Sequence, residues 1–343
     1  MTRLRMFDAR QLRPPDVAED SVVSVFRVPP EVAGQRLDVF MHSQLHRTSR
    51  TRTQAIVRAS AYDATGRRLK PNDRVQAEQR ILLWRAPWDE TPVPVEIPFL
   101  YEDEHLLAVS KPAMLPVHPT ARYHKNTLIK LLQASRPDCA FLSLGHRLDR
   151  ETSGVILISK SRACDRALKK QLADRDDIEK TYVALTWGVP DRGDGATTFR
   201  LERRLELDPT SELRVKMRVR EDPAALYAAT VFCVEEVRYA GGRPYARVRC
   251  TLETGRQHQI RVHLASLGAP VVGDKLYGPD ERAFARSADN ELTAEDVALL
   301  ELPRHALHAA RLALSHPITG RPLAIEAPLP EDIAAFWAGL AAD

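Results

Sequence analysis

The sequence has few cysteines, and their spacing does not suit a metal site or a disulfide framework. The four lie far apart and form no Cys-x-x-Cys pair; they are Cys139, Cys164, Cys233 and Cys250. A disulfide-stapled fold or a cysteine zinc site requires closely spaced cysteines, so neither is predicted. We interpret the four as reduced thiols that are mostly buried.

The chain also lacks a long apolar run. It contains no stretch of about 18 apolar residues, and its N-terminus has no apolar segment bounded by a cleavage site. We therefore expect a soluble, cytoplasmic protein with no membrane contact. Of the 343 residues, 44% are hydrophobic and 28% are charged, which is enough apolar material for one large core or two smaller ones. This composition excludes disorder as the main state.

A strong excess of one charge is missing from the whole chain, whose formal net charge is +4. The distribution is uneven, because residues 36–74 hold nine basic residues against three acidic ones, a local charge of +6. The basic residues are Arg36, Arg47, Arg50, Arg52, Arg58, Arg67, Arg68, Lys70 and Arg74. Such a cluster attracts phosphate backbones, although a solvated basic face would have the same composition.

The pattern of prolines and apolar residues divides the first part of the chain into three segments. Residues 1–28 show no sustained hydrophobic period, so we expect a flexible arm. Residues 29–85 contain two short helical patterns, broken near His46, and a strand-like tail, which together predict a small α/β module. Three prolines within residues 86–94 predict an extended linker, so we place the domain boundary there.

Residues 95–335 have the pattern of a second domain of mixed strands and helices. Four strands are predicted, at His105–Ser110, Val155–Ser159, Thr181–Leu185 and Tyr245–Leu252. Helices are predicted after a Ser161 cap and from Gln257 to Leu267, where Gly268 ends the helix. Residues 279–303 are polar except for a short helix that Thr293 and Asp296 cap, and we expect a surface insertion. The order of elements predicts an α+β fold without βαβ regularity.

The densest group of charged and hydroxyl residues is the segment Gly145–Gly154, which precedes an apolar, strand-like run. Its carboxylate Asp149 lies between Arg147 and Arg150. Neighbouring arginines lower the pKa of a carboxyl group, so Asp149 is suited to act as a nucleophile or a base. A structural ion pair is the alternative, and for an isolated Arg-x-Asp sequence it is the more common case.

Three motifs occur in a fixed order along the second domain. They are His146-Arg-Leu-Asp149 with Thr152-Ser-Gly154, Lys180-Thr-Tyr182-Val-Ala184, and Thr254-Gly-Arg256-Gln-His258-Gln-Ile-Arg261. With these motifs the chain resembles the RluA-like family of RNA pseudouridine synthases. Further matching segments are Val109–Pro119, Gly273–Gly278, Leu307–Ala309 and His316-Pro317. The resemblance therefore spans about residues 95–335, and so specific a set of ordered motifs carries more weight than a single short one.

This resemblance implies a pseudouridine synthase catalytic fold, with a mixed, largely antiparallel sheet and flanking helices. It also implies that uridine in ribosomal or transfer RNA is isomerised without a cofactor or a metal. By the same resemblance Asp149 is the catalytic aspartate, Tyr182 is the active-site tyrosine and Arg261 is the arginine paired with Asp149. Arg147 would enter the space vacated by the target base, because chemistry on a base within RNA requires that base to be flipped out.

Two of these residues would equally suit a purely structural role. Tyr182 belongs to an alternating segment and fits a core strand as well as an active site. Arg261 falls outside the apolar stripe of its helix, which is equally typical of a surface ion pair.

Four more residues are candidates for contact with the substrate RNA. Arg256 and Gln259 could bind phosphate or uracil, and His146 adjoins the Asp149 motif. Lys111 lies in a Lys-Pro turn that we place at the rim of the active site, whereas Gly273-Asp274 is interpreted as a structural turn. The histidines lack the spacing of a zinc site, and no Gly-x-Ser-x-Gly segment indicates a hydrolase.

The first module resembles a small ribosomal-protein-like RNA-binding domain. The resemblance depends on Gly34-Gln-Arg36-Leu-Asp38 and on Ser49-Arg50, and it makes Arg36 and Arg50 candidates for RNA contact. The segment Ile56–Tyr62 departs from the usual Ile-x-x-Gly turn and Val-rich strand of such modules, whereas Leu69–Val75 resembles their later part.

The sequence is thus interpreted as an RNA pseudouridine synthase whose partner is ribosomal or transfer RNA, with a monomer favoured. Two alternatives belong to other classes. One is a noncatalytic RNA-binding or ribosome-assembly protein that retains the fold. The other is a base-removing glycosidase, which would release free uracil.

Overall fold

The computed structural model describes residues 9–45, 48–86, 90–120, 123–174, 177–191, 193–213, 215–289 and 291–342. The chain divides into two units, Met1–Glu90 and Thr91–Asp343. The division falls within the proline-rich segment 86–94, of which residues 87–89 lie outside the described part.

The first unit contains a three-stranded antiparallel sheet and two α-helices. Its elements are β1 (Val22–Arg27), α1 (Leu37–Gln44), α2 (Arg50–Ser60), β2 (Ala61–Asp63) and β3 (Arg80–Arg85), with 3₁₀ turns at Ala9–Leu12 and Pro30–Val32. The strand order is β1-β3-β2. Apolar residues of both helices pack against β3 to form the core, which includes Leu37, Phe40, Met41, Val57, Ile81 and Leu83.

The two predicted short helices are confirmed as α1 and α2. The Ser49 hydroxyl caps α2 by accepting a hydrogen bond from Arg52 N at 3.2 Å. The predicted break between the helices includes residues 46–47, which lie outside the described part of the chain.

The expectation of a flexible arm over residues 1–28 is wrong for its second half. Val22–Arg27 form β1, which pairs with β3 along its whole length. The run Val-Val-Ser-Val-Phe is rich in β-branched and aromatic residues, which favour a strand, and its short length hid this signal. Ahead of the strand, Asp16 accepts hydrogen bonds from Arg68 at 2.8 Å and from the Tyr62 hydroxyl at 2.9 Å. Residues 1–8 of the proposed arm lie outside the described residues.

The second unit is built on one large sheet. Its strands are β4 (Phe99–Glu102), β5 (Leu106–Lys111), β6 (Ser143–Leu144), β7 (Ser153–Ser159), β8 (Ile178–Trp187), β9 (Thr198–Glu202), β10 (Leu205–Leu207), β11 (Met217–Val219), β12 (Ala229–Ala240), β13 (Arg243–Leu252), β14 (Leu307–Ser315), β15 (Pro322–Glu326) and β16 (Ala341–Ala342). Its helices are α3 (Leu128–Ser135), α4 (Arg162–Asp174), α5 (Gln259–Ala265), α6 (Arg282–Asp289), α7 (Ala294–Leu300) and α8 (Glu331–Ala338).

The main sheet has the order β16-β12-β13-β8-β14-β7-β5-β4, with β15, β6 and β9 paired to β14, β7 and β12. Only the β7–β14 pair is parallel among the described strand pairs of this sheet. The predicted mixed, largely antiparallel α+β architecture is therefore confirmed. Strands β10 and β11 form a separate antiparallel pair.

Strands β5 and β7 are buried on both faces, which explains their continuous apolar sequences. Leu107 and Ile156 belong to one core cluster, whereas their neighbours Leu106 and Val155 belong to another on the opposite face. Gly154 in β7 has φ of +114°, and a Cβ atom there would lie 2.1 Å from the carbonyl oxygen of Ala309 in β14. A glycine is required where these two strands meet.

All four predicted strands of this unit are present, as β5, β7, β8 and β13. The Ser161 hydroxyl caps α4 through Cys164 N at 3.2 Å, and Thr293 and Asp296 form a capping box on α7, as predicted. Helix α6 was not predicted, because its segment is polar. The helix expected at Gln257–Leu267 is the shorter α5, which starts later because His258 has a left-handed backbone with φ of +56°.

The predicted end of the second domain at residue 335 is wrong, because it falls inside α8. This helix buries Ile333 and Trp337 in the main core. Among the described residues, no helix is both long enough and apolar enough to cross a membrane.

Candidate active site

Asp149 lies in the loop between β6 and β7, close to the point where β7 enters the core. Its side chain is 33% exposed, and its Oδ2 atom accepts a hydrogen bond from Nη1 of Arg261 at 3.0 Å. Arg261 is 112 residues further along the chain, on α5. The structure thus brings together the carboxylate and the arginine that the family resemblance paired.

Arg261 is buried, with only 5% of its side chain exposed, so it is not part of a surface ion pair. Asp274 holds the other edge of the guanidinium, through Nε–Oδ2 at 2.6 Å and Nη2–Oδ1 at 2.8 Å. Asp274 is fully buried, and its Oδ1 atom also accepts hydrogen bonds from the amides of Leu276 and Tyr277. A bidentate ion pair of this kind fixes the plane of the guanidinium. One buried positive charge therefore lies between two carboxylates.

These contacts set the ionisation states of the Asp149 and Asp274 carboxyl groups. Burial would raise the pKa of Asp149, but the charge and hydrogen bond of Arg261 and the effects of the neighbouring histidines together outweigh it, so the pKa is lowered. The pKa of Asp274 is also lowered, because the charge and hydrogen bonds of Arg261 overcome the effect of burial. Asp149 is consequently a carboxylate at neutral pH, as nucleophilic or base chemistry requires.

Tyr182 lies on β8 between Cys250 of β13 and Ala309 of β14. Its side chain is 8% exposed and belongs to the main core cluster. Burial and then the negative charge of Asp149 raise its pKa well above the usual range, so its hydroxyl is protonated at neutral pH. Tyr182 is therefore a core residue that lies near enough to Asp149 for the carboxylate charge to affect its hydroxyl.

His258 is a further neighbour of Asp149, and Tyr277 contacts both His258 and Arg261. Nε2 of His258 lies 3.9 Å from Oδ2 of Asp149, and its Nδ1 lies 2.8 Å from the Tyr277 hydroxyl. The guanidinium of Arg261 lies 5.0 Å from the centre of the Tyr277 ring. Burial, followed by the charge of Arg261, lowers the pKa of His258 to about 4. The imidazole is thus neutral at neutral pH.

A second buried cluster ties down the loop that follows Asp149. Nζ of Lys275 donates to both carboxylate oxygens of Glu151, at 3.0 and 3.1 Å. Glu151 also accepts a hydrogen bond from the His305 amide at 3.2 Å, and the His305 ring lies 2.8 Å from the Thr152 hydroxyl. These contacts fix Glu151 to Lys275, the neighbour of Asp274, and fix Glu151 and Thr152 to His305, so two other segments of the chain hold the loop.

Two predictions of RNA contact are wrong. Lys111 is fully buried, and its three ammonium hydrogens are directed at the carbonyl oxygens of Pro112, Leu115 and Arg150, at 2.8 to 3.1 Å. Burial lowers its pKa to about 7.

Gln259, 3% exposed, uses both amide hydrogens on Ala229 O and the Thr230 hydroxyl. Its oxygen accepts from the Thr254 hydroxyl and from Arg256 N. Neither Lys111 nor Gln259 has hydrogen-bonding capacity left for RNA, so both hold loops of the site in place.

The remaining candidates differ in exposure. Arg147 is exposed beside Asp149, whereas Arg256 is half-buried and donates from Nε to Tyr227 O at 2.9 Å. His146 accepts a hydrogen bond from Leu157 N at 3.3 Å, and burial lowers its pKa to about 3. The His146 ring is thus a neutral part of the wall next to β7.

Arg36 and Arg50 belong to the first unit and share one buried carboxylate there. Asp38 is fully buried and accepts hydrogen bonds from Arg36 at 2.9 and 3.2 Å and from Gln54 at 2.6 Å. Nε of Arg50 lies 3.6 Å from the same carboxylate. Hydrogen bonding from Arg36 lowers the pKa of Asp38 to about 2. The side chains of Arg36 and Arg50 remain 39% and 59% exposed.

Sequence reasoning missed Asp274, Tyr277 and His258 as members of the site. All three lie in motifs that the family resemblance included, but the spacing of a motif does not say which residues meet in space. Within the part of the chain that the structure describes, no group of three or more His, Cys, Asp or Glu residues could hold a metal ion.

Comparison with known proteins supports one family. The family model described as RNA pseudouridylate synthase matches residues 105–266, a range that includes Asp149, Tyr182 and Arg261. The ribosomal large subunit pseudouridine synthase D of Xanthomonas campestris is 34% identical over 94% of this chain and 94% of its own length. The ribosomal large subunit pseudouridine synthase C of Escherichia coli is 34% identical over 92% of this chain and 96% of its own length.

Solved structures agree on the fold. Human RNA pseudouridylate synthase domain containing 1 superposes with a TM-score of 0.56 at 22% identity, over 74% of this chain and 91% of its own. Its relative, domain containing 4, gives a TM-score of 0.52 at 24% identity, over 69% of this chain and 90% of its own. Together with the sequence matches over nearly the full length, these findings show that the chain belongs to the RNA pseudouridylate synthase family, whose members isomerise uridine in RNA to pseudouridine.

Proposed function

We propose that the chain isomerises uridine to pseudouridine in the RNA of the large ribosomal subunit, with Asp149 as the group that acts on the nucleoside. The relatives that match over more than nine tenths of the chain are named for that subunit, which supports this substrate. The same names favour a cytoplasmic location.

The observation that carries the proposal is the state of Asp149. A carboxylate that is one third exposed, ionised and fixed by Arg261 can reach a nucleotide while keeping its orientation. A carboxylate that stays ionised at neutral pH suits a reaction in which a glycosidic bond must break without a metal. Positioning by the arginine removes the need to orient the nucleophile during the reaction.

In the reaction the N1–C1′ bond breaks, the uracil turns while it stays bound, and a C5–C1′ bond forms. The C5 proton is lost and N1 gains a proton, so substrate and product have the same mass. We assign to Asp149 the step that detaches the base from its sugar. Tyr182 would line the face of the uracil from which the C5 proton leaves.

The target base must leave its stack to reach Asp149, since the reacting bond is otherwise covered by neighbouring nucleotides. Arg147 is exposed beside Asp149 and can occupy the space that the base vacates. Arg256 is half-buried ahead of the helix that carries Arg261 and can meet a phosphate. We further propose that the first unit binds RNA through Arg36 and Arg50, whose orientation Asp38 fixes.

The test is release of tritium from RNA labelled at C5 of uridine. Ribosomal and transfer RNA lacking modifications are supplied separately, to the wild type and to Asp149→Asn. We expect release from ribosomal RNA by the wild type alone, with no free uracil, while both proteins bind RNA with the same Kd.

Each other outcome contradicts a part of the proposal. Free uracil would indicate a base-removing glycosidase, and release from transfer RNA alone would overturn the substrate assignment. Normal release by Asp149→Asn would overturn the role of Asp149. RNA binding without release from either RNA would indicate a noncatalytic protein.

A further inference from the structure

Tyr277 contacts both groups that flank Asp149, although it does not touch Asp149 itself. It lies in the turn Gly273–Gly278, whose amides are held by Asp274. Its ring supports the guanidinium of Arg261, at 5.0 Å, and meets the ring of His258 edge-on, with the ring centres 5.6 Å apart. The side chain of Tyr277 is thus placed to control how Arg261 and His258 face the carboxylate.

The hydroxyl of Tyr277 has two partners, and together they fix the direction of its hydrogen. The amide of Met217 donates to this oxygen at 2.9 Å, so the amide cannot receive the phenolic hydrogen. The other partner is Nδ1 of His258, at 2.8 Å. Because burial raises the pKa of Tyr277 well above its usual range, the phenol keeps its hydrogen and donates it to Nδ1.

This arrangement selects one tautomer of His258. A neutral imidazole whose Nδ1 accepts a hydrogen bond carries its own hydrogen on Nε2. Nε2 is the atom that faces Oδ2 of Asp149, at 3.9 Å. The opposite tautomer would direct a lone pair at the carboxylate, which is electrostatically unfavourable. An approach of about 1 Å would convert the facing pair into a hydrogen bond, as often happens when a substrate closes an active site.

Both neighbours of Asp149 act on the same oxygen. Arg261 and His258 face Oδ2, whereas Oδ1 has no hydrogen-bond partner within the described part of the chain. A carboxylate held in this way presents Oδ1 to whatever enters the site.

We propose that Tyr277 is a positioning residue that holds His258 in the tautomer protonated on Nε2, so that Arg261 and His258 together fix Oδ2 of Asp149 and leave Oδ1 as the reacting oxygen. The inference deepens the proposed function and rests on the role of Asp149 in it. Tyr277 lies beyond the residues 105–266 matched by the family model.

The tautomer is measured directly on the intact protein. Long-range ¹H–¹⁵N correlation spectra of histidine-labelled protein near pH 7 distinguish the two forms, and His258→Gln identifies the signals of His258. We expect the form protonated on Nε2 in the wild type and a mixture with the other form in Tyr277→Phe. The form protonated on Nδ1 in the wild type would overturn the inference, whatever the variants do.

The kinetic test separates positioning from binding. Loss of one hydrogen bond corresponds to about tenfold in rate, so we expect the single-turnover rate of Tyr277→Phe to fall about tenfold. The Kd for RNA should change by less than about twofold, because no phosphate contact is removed. An unchanged rate with a changed tautomer would show that the tautomer does not matter to catalysis and would overturn the functional half of the inference.

Tyr245→Phe is the matched control. Tyr245 is a buried core residue whose hydroxyl donates to Glu301 at 2.8 Å. This hydrogen bond lies outside the group of residues around Asp149. We expect Tyr245→Phe to keep both the wild-type rate and the wild-type His258 signals, and an equal loss in both variants would assign the effect to general destabilisation. A wild type that releases no tritium would contradict the proposed function, whereas the tautomer measurement would still decide the structural half.

Discussion

The two units of the molecule treat buried charge differently. In the first unit Asp38 is fully buried, but its arginine partners Arg36 and Arg50 remain 39% and 59% exposed. In the second unit Arg261 is itself buried, with 5% of its side chain exposed. The partner of Arg261 that solvent can reach is the carboxylate of Asp149, which is 33% exposed. The first unit thus uses a buried carboxylate to orient arginines towards solvent, whereas the second uses a buried arginine to orient a carboxylate.

This difference decides what each network can do. Exposed guanidinium groups are screened by salt and suit contact with a phosphate backbone, which releases counterions. A carboxylate with a buried partner keeps its charge in a partly dry site, where its interactions are stronger than in water. The comparison therefore predicts that the second network is sensitive to the loss of any member, and that the first is tolerant.

The largest effect is expected from Arg261→Met. It leaves two carboxylates close together with no cation between them, which costs about 3–5 kcal/mol of unfolding free energy in comparable cases, and it should abolish turnover. Arg36→Met in the first unit leaves the buried Asp38 carboxylate with Gln54 and Arg50 as partners, so it should cost less than Arg261→Met. Urea unfolding and tritium release measure both. Equal costs for the two variants would contradict the comparison.

Acid should also separate the units, because the second unit buries several neutral histidines. Burial lowers the pKa to about 4 in four of them and to about 3 in another; they are His258, His263, His305, His308 and His146. The unfolded chain binds these protons near pH 6.5, so the stability is complete above that pH and is lost as the pH falls towards 4. One such histidine costs about 2 kcal/mol between pH 6.5 and pH 5.

The first unit loses stability at lower pH. Its Asp38 has a pKa lowered to about 2, so the stability from this group is present above pH 3.8 and is lost only as the pH falls towards 2. Hydrogen exchange followed by mass spectrometry, corrected for the intrinsic pH dependence, reports on each unit in the intact chain. We expect protection to fall between pH 6.5 and pH 4 in the second unit first. Earlier loss in the first unit would contradict this assignment.

The sequence was sufficient for much of the fold because its signals there are local. The continuous apolar runs of β5 and β7, the Ser161 cap of α4 and the capping box of α7 were all predicted and confirmed. Strand β1 was missed, since a short β-branched run next to a polar segment resembles a disordered arm. Its partner β3 lies more than fifty residues away, and that pairing has no local signature.

The candidate site shows the same limit. The motifs identified Asp149 and Arg261, but Asp274, the second carboxylate bound to Arg261, was interpreted as part of a structural turn. Lys111 and Gln259 were misassigned because a lysine or glutamine in a motif indicates ligand binding as readily as the support of a loop. Only burial and the complete set of hydrogen-bond partners distinguish the two, and neither can be read from spacing.

Asp274→Asn tests how the charge of Arg261 is shared. Asp274 neutralises part of that charge, so its removal leaves Arg261 to stabilise the Asp149 carboxylate more strongly, and the pKa of Asp149 should fall further. The acid limb of the pH–rate profile should therefore move to lower pH. A looser guanidinium should reduce the neutral-pH rate about tenfold.

Glu179→Gln provides the control for Asp274→Asn. It removes the same charge from the exposed pair of Glu179 with Arg311 and should change neither the rate nor the profile. An acid limb that moves to higher pH in Asp274→Asn would show that the Asp274–Arg261 pair contributes geometry alone. That result would contradict the account of charge sharing.

The smallest effect is expected in the first unit, from Arg36→Gln combined with Arg50→Gln. Two phosphate contacts are lost, so the Kd for ribosomal RNA should rise several-fold and the slope of log Kd against log salt should fall by about 1 to 2. The single-turnover rate at saturating RNA should stay unchanged, because the second unit holds the reacting groups. Arg13→Gln combined with Arg27→Gln removes the same charge from exposed arginines outside residues 36–74 and should leave the Kd unchanged. If both double variants weaken binding equally, the first unit attracts RNA by net charge alone, and the orientation that Asp38 imposes has no part in recognition. A loss confined to the Arg36 and Arg50 variant would instead show that a buried carboxylate orients the RNA-binding arginines in the first unit, as the buried Arg261 orients the Asp149 carboxylate in the second.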